Sequence, residues 1–170
     1  MSRKRRSQKR SQKNGALFEN LIERTCIHYR GKGIADIKNP PEPMKPISPL
    51  GRGQFRAVYT KKGQPDFMGT LKGGRSVQVE AKHTQAKLIQ FDTVQDHQGL
   101  QLQNTERLGG LALIVISFRF ENFYALTWTE WQQVKKDTGK KSCNEKDLAE
   151  YKVDQVAARI QFLDRFIEGE

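Results

Sequence analysis

The sequence predicts an α/β fold, a mixed central sheet flanked by helices, and three observations carry that expectation. Leu111 to Phe118 is an unbroken apolar run rich in β-branched residues, as a strand buried on both faces requires. Upstream, Asp66 to Leu71 and Ser76 to His83 flank Gly73-Gly74, whose freedom at positive φ suits a tight hairpin loop. Helical periodicity both precedes and follows this hairpin, so the sheet has helices to bury its faces.

In chain order, Leu17/Leu21 and Phe18/Ile22 recur four apart between Gly15 and Tyr29. That spacing predicts an amphipathic helix which Asn14 can cap and Gly31 and Gly33 end, with Glu19 toward the border of its apolar face. Ile34 to Lys38 fits a short strand. From Asn39 to Gly53 periodicity stops, and Pro40, Pro41, Pro43, Pro46 and Pro49 all fall in this window. Proline fixes φ and removes a donor, which excludes a helix or a central strand. A stiff, protruding Pro-rich stalk over about 38–62 is expected, returning along an exposed strand from Phe55. Beyond the hairpin, Gln95 to Arg107 reads as a helix despite Gly99, and Phe123 to Trp128 as a strand. Glu130 to Lys136 and Glu145 to Tyr151 read as short helices, and Val156 to Ile167 as a weaker one. The expected division is a disordered basic tail, 1–14, followed by one domain over 15–170.

Charge narrows the partners. Thirty Lys and Arg stand against 19 Asp and Glu, a formal net charge of +11 that points to a polyanion. Seven of those charges, among them Arg3, Arg5 and Arg6, lie in the first thirteen residues with no acid between them. Such an arm gains affinity for nucleic-acid phosphates through counterion release. Lys38, Lys45, Arg52 and Arg56 put further charge on and beside the stalk. Two cysteines make neither a disulfide framework nor a zinc site, and no apolar stretch reaches the roughly 20 residues of a membrane span. A cytoplasmic setting is expected, with no membrane or small-molecule partner.

The chemistry concentrates in Gln64-Pro65-Asp66-Phe67 and Val79-Glu80-Ala81-Lys82-His83. Phosphodiester hydrolysis needs a nucleophilic water, neutralised phosphate charge and help for the leaving oxygen, which carboxylate-held divalent cations supply. Mg²⁺ suits this because it accepts a few protein oxygens and leaves its other positions to water and phosphate. Asp66 opens one arm of the hairpin and Glu80 sits late in the other, so the two can meet at one end of the pair. Val77, Val79 and Ala81 share one face of the second arm; Gln78, Glu80 and Lys82 share the other. Lys82 is then placed to polarise the water or to stabilise the pentacovalent phosphate. Gln98 in Asp96-His97-Gln98 can orient water or touch the metal, and Glu19 can supply an extra carboxylate.

This combination resembles the PD-(D/E)xK nuclease motif, and with it a restriction-endonuclease-like fold. The layout is further similar to the RecU family of Holliday-junction resolvases over roughly residues 14 to 167. The matching elements are Asn14 to Glu19, the Pro- and Lys-rich excursion, Asp66 with Glu80-Ala81-Lys82, Asp96-His97-Gln98, and the strand Leu111 to Ser117. The resemblance implies a homodimer that cleaves four-way DNA junctions with Mg²⁺ or Mn²⁺, using the stalk at the junction centre. It implies that Asp66, Glu80 and Gln98 ligate the metal or hold metal-bound water, and that Lys82 stabilises the transition state. The family commonly has a threonine two residues before the aspartate, where this chain has Gln64, and its stalk is longer and poorer in proline. Another PD-(D/E)xK endonuclease of restriction or repair type, or a basic DNA-binding protein without catalysis, are the competing readings.

Overall fold

A six-stranded mixed sheet organises the chain, and the computed structural model describes residues 3–41, 43–59 and 64–167. The elements are α1 (Arg3–Gly31), β1 (Ala35–Lys38), β2 (Met44–Gly51), β3 (Gln54–Tyr59), β4 (Phe67–Leu71) and β5 (Ser76–Thr84). They continue with β6 (Leu88–Gln90), α2 (Asp96–Arg107), β7 (Leu111–Phe118), β8 (Asn122–Thr127), α3 (Trp128–Thr138) and β9 (Ser142–Asn144). The last are β10 (Lys152–Val153), β11 (Gln155–Val156), β12 (Arg159–Ile160) and α4 (Asp164–Ile167). The sheet order is β1-β4-β5-β7-β8-β10. β5 and β7 run parallel with α2 as the crossover between them, and the other neighbours are antiparallel. This is the expected α/β architecture.

Each sheet face has its own core. α1 lays Phe18, Ile22, Cys26 and Tyr29 over Ile37, Val77, Val79, Leu113 and Val115, with Phe162 and Leu163 from the C-terminal segment. On the other face, Leu102 of α2 and Trp131 and Val134 of α3 cover Ala112, Ile114, Ile116 and Leu126. β7, between these layers, is buried at every position. Gly99 explains how α2 comes so close, since a Cβ there would sit 2.6 Å from the Trp128 ring.

The stalk is a two-stranded hairpin, β2 paired with β3. Its register shifts fall between Pro46 and Ser48 and between Pro49 and Gly51, so bulges absorb the prolines that an uninterrupted ladder would reject. Cross-strand partners share a face. Pro46↔Ala57 and Pro49↔Phe55 therefore form an apolar side, while Ser48↔Arg56 and Lys45↔Val58 form a cationic one, with Arg52 in the turn. Lys45, Arg52 and Arg56 are all exposed. Residues 60–62, the far end of the expected stalk, lie outside the described residues.

Several expectations are corrected. The tail read as disordered instead continues α1 back to Arg3, because Arg, Lys and Gln are good helix formers and the packed half has already nucleated the helix. Leu17 is 48% exposed, so the apolar stripe runs through Phe18 and Ile22 without it. Glu145 to Tyr151 is a turn, not a helix. Asn144 Oδ1 accepts the Lys146 and Asp147 amides, and only Ala149–Tyr151 coils, as a 3-10 turn. Val156 to Ile167 is helical only over α4. There the Ile160 amide donates to Thr25 Oγ1 at 3.0 Å and the Leu163 amide to Tyr29 Oη at 3.1 Å. Those bonds to α1 replace the intrahelical ones that the periodicity alone implied.

Candidate active site

The antiparallel ladder between β4 and β5 ends at Phe67↔Val79. One step further, the Asp66 side chain takes the ladder's place, its Oδ2 accepting the Ala81 amide at 2.8 Å. That bond fixes the carboxylate opposite Glu80, the next residue along β5. Alternation then turns Glu80 and Lys82 toward α2, on the side of Ile114 and Ile116, their partners in β7.

Glu80 is 1% exposed. Its Oε2 accepts Gln98 Nε2 at 2.7 Å and Lys82 Nζ at 3.1 Å. Its Oε1 is buried without a hydrogen-bond partner. Burial, and then the Asp66 carboxylate beside it, push the Glu80 carboxyl up to about 7, against the opposing pull of Lys82. Two carboxylates forced together, one with an orphaned buried oxygen, form a site that a divalent cation would relieve. Asp66 and Glu80 therefore fit a hard cation. No group of three or more His, Cys, Asp or Glu side chains suited to a metal exists among the described residues. Most of the coordination sphere would fall to water and phosphate, as Mg²⁺ prefers.

Gln98 occupies the first turn of α2 and faces Glu80. Its Oε1 accepts the Gln95 amide at 3.1 Å and Lys82 Nζ at 3.2 Å, so both lone pairs of that oxygen are engaged. Here Gln98 holds Glu80 and Lys82 in place and caps its own helix. Gln95-x-x-Gln98 is the legible trace of this bond, a glutamine three residues after the cap position. Lys82, 14% exposed at its side chain, uses two of its three N–H donors on Glu80 and Gln98. His97 is exposed beside it on the surface of α2.

The remaining candidates lie outside β5 and α2. Glu19 is half-buried on α1, next to Phe18, which stacks on Phe123 across the opposite sheet face. It does not join Asp66 and Glu80 in a three-carboxylate group. Arg5 is exposed on the free part of α1; Arg3 and Arg6 belong to the same helix, with only their backbone described. Gln64 is exposed. Sequence reasoning put Gln78 on the face of Glu80 but gave it no role; its buried Oε1 also has no hydrogen-bond partner.

The Holliday junction resolvase RecU of Lactococcus lactis subsp. lactis is 28% identical over 121 residues, covering 67% of this chain and 56% of that protein. The chain thus spans little more than half the length of that relative. A solved structure of Hjc, a Holliday junction resolvase from Archaeoglobus fulgidus, aligns with a TM-score of 0.45 at 15% identity. That alignment covers 77% of this chain and 92% of the other. The family model for Recombination protein U matches residues 13–167, which includes the Asp66–Glu80–Lys82 site, α2 and both cores. The chain belongs to the RecU family.

Proposed function

We propose that this chain is a Mg²⁺-dependent endodeoxyribonuclease that resolves four-way DNA junctions by paired phosphodiester hydrolysis. The observation that carries the reading is the buried, unpartnered Glu80 Oε1 beside Asp66, with the Lys82 ammonium on the same carboxylate. Acids repel a DNA backbone unless a cation lies between them, so a protein that merely bound DNA would gain nothing from this pair. Asp66 and Glu80 would hold the cation, Mg²⁺ or Mn²⁺, which when bound supplies charge neutralisation and an activated water. Lys82 directs its remaining N–H donor at the phosphate as charge builds there. Gln98 keeps Glu80 and Lys82 from drifting as the substrate arrives.

The two-sided hairpin supports the junction as substrate. Its cationic side and Arg52 meet phosphates, while the side bearing Pro46, Pro49 and Phe55 meets base faces left open where four duplexes part. Phe55 is 59% exposed, ready for such a contact. The helical basic arm before Gly15 adds non-specific backbone affinity. Symmetric cutting of two strands needs two sites, and the family reading supplies them as a homodimer. No helix among the described residues is long and apolar enough to cross a membrane, and the DNA-directed chemistry fits a cytoplasmic setting.

The test is cleavage with Mg²⁺ of a synthetic four-way junction beside a linear duplex of the same sequence. Junction-selective, paired nicks that vanish in Asp66→Asn, with binding kept, are expected. Equal cutting of both substrates would leave a nuclease without the junction; normal cutting by Asp66→Asn would remove the site.

A further inference from the structure

Register continues the active-site face sideways into open surface. Lys38 of β1 pairs with Met68 of β4, and Met68 pairs with Gln78 of β5. Antiparallel partners project to the same side, and Gln78 precedes Glu80 by two residues. Lys38, Met68 and Gln78 therefore form a row on the face of Glu80 and Lys82, one step back from the Asp66–Glu80 row. Asp36, Thr70 and Ser76 form the next row behind it.

The two halves of this face differ. Over β5 and β7 it is roofed by α2, with Gln98 above Glu80. Over β1 and β4 none of the described elements roofs it: Lys38, Asp36 and Thr70 are exposed and Met68 is 41% exposed. α1 closes the opposite face through Ile37 and Val79. The open β1–β4 half is thus the surface by which a polymer reaches Asp66 and Glu80. Gln78 is half-buried between the halves, its buried Oε1 has no hydrogen-bond partner, and its Nε2 is the donor it has for a phosphate oxygen.

We propose that the Lys38–Met68–Gln78 strip binds the DNA backbone flanking the cleaved bond, with Lys38 as its cation and Gln78 as its positioning donor. The proposal rests on the nuclease reading above. Charge supports the occupant. Lys38 and Arg30 both lie on Asp36, at 2.9 and 2.6 Å, so the strip has two cations to one acid, and the phosphate competes with Asp36 for Lys38. Strand spacing puts Lys38 about 10 Å sideways and about 7 Å along from Glu80. That is within about three to four nucleotide steps at ~3.4 Å each. Met68 supplies the apolar floor between them, against which sugars can lie.

Lys38 and Asp36 are exposed, so their variants test the strip without burdening the core. In the full chain with Mg²⁺ and a four-way junction, Lys38→Gln should raise KM roughly 3- to 10-fold with kcat nearly unchanged. Lys38→Arg should restore it, and Asp36→Asn should lower KM by freeing Lys38. Binding measured by anisotropy across a salt series, with Asp66→Asn protein, should lose about one from its log–log slope on Lys38→Gln. A KM and a salt slope both unchanged in Lys38→Gln overturn the strip. A wild-type chain that never cuts overturns the nuclease reading instead, and the salt series still decides whether Lys38 meets DNA.

Discussion

Gln98 Nε2 donates to Glu80 Oε2 at 2.7 Å while Gln98 Oε1 accepts the amide of Gln95, so one side chain ties the start of α2 to the buried carboxylate. The helix cap and the buried Glu80 carboxylate are therefore one unit. Gln98→Ala should lower kcat about 10- to 100-fold, the usual cost of losing a group that orients a ligand, and should also fray α2. Gln98→Glu is the informative companion. It can still accept the Gln95 amide, yet it sets a third carboxylate beside Glu80 and Asp66. Activity should then fall further at neutral pH than in Gln98→Ala, and circular dichroism should show α2 retained.

The raised Glu80 carboxyl makes stability depend on pH in a definite direction. Its folded value of about 7 lies above the 4.5 of an unperturbed glutamate, so the native state binds the extra proton between those limits. Ionised Glu80 therefore destabilises the fold above pH 7, and that cost disappears as the pH falls below about 4.5. In metal-free buffer, Glu80→Gln should raise Tm at pH 8 and leave it unchanged at pH 4. Mg²⁺ should act in the same direction on the wild type, raising Tm more at pH 8 than at pH 6, because cation and proton compete for one carboxylate. A Tm gain from Mg²⁺ that is independent of pH would refute the competition.

Gly99 links packing to the same unit. A Cβ there would lie 2.6 Å from the ring of Trp128, the first residue of α3, which packs against the core on this face. Gly99→Ala should gain helix propensity locally yet lose overall, since α2 must move off the sheet and carry Gln98 with it. The expected result is a destabilisation of roughly 1–3 kcal/mol and a fall in kcat larger than any change in DNA binding. Trp128→Leu in the same chain should recover part of both, by making the room that the methyl group needs.

The parts of the molecule that were legible in sequence are those set by local pattern. Leu111 to Phe118 and the Gly-Gly hairpin emerged with their boundaries nearly intact, because alternation, β-branching and positive-φ glycines act within a few residues. The same alternation put Glu80 and Lys82 on one face and Asp66 at the right end. Partners chosen by tertiary contact stayed hidden. Nothing in the spacing of Lys38, Met68 and Gln78 reveals that three strands align them, and nothing in Thr25 or Tyr29 reveals that they hold the amides of Ile160 and Leu163. The stalk fell between these cases: proline excluded a regular ladder, but only the register shows where bulges let one form.

The C-terminal segment offers the sharpest contrast between periodicity and packing. Ala157 and Ala158, with φ of 47° and 59°, turn β11 into β12 in left-handed backbone, which costs a non-glycine residue about 1–2 kcal/mol. Ala158→Gly removes that strain and should stabilise the protein, by roughly 0.5–1 kcal/mol once the added freedom of the unfolded chain is counted. Were residues 156–167 the helix that their periodicity implies, the same substitution would destabilise by about 1 kcal/mol. Urea denaturation of the variant reads the sign directly. Because Ala157 and Ala158 are exposed and touch none of the residues around Glu80 named above, the variant's cleavage rate should be unaltered.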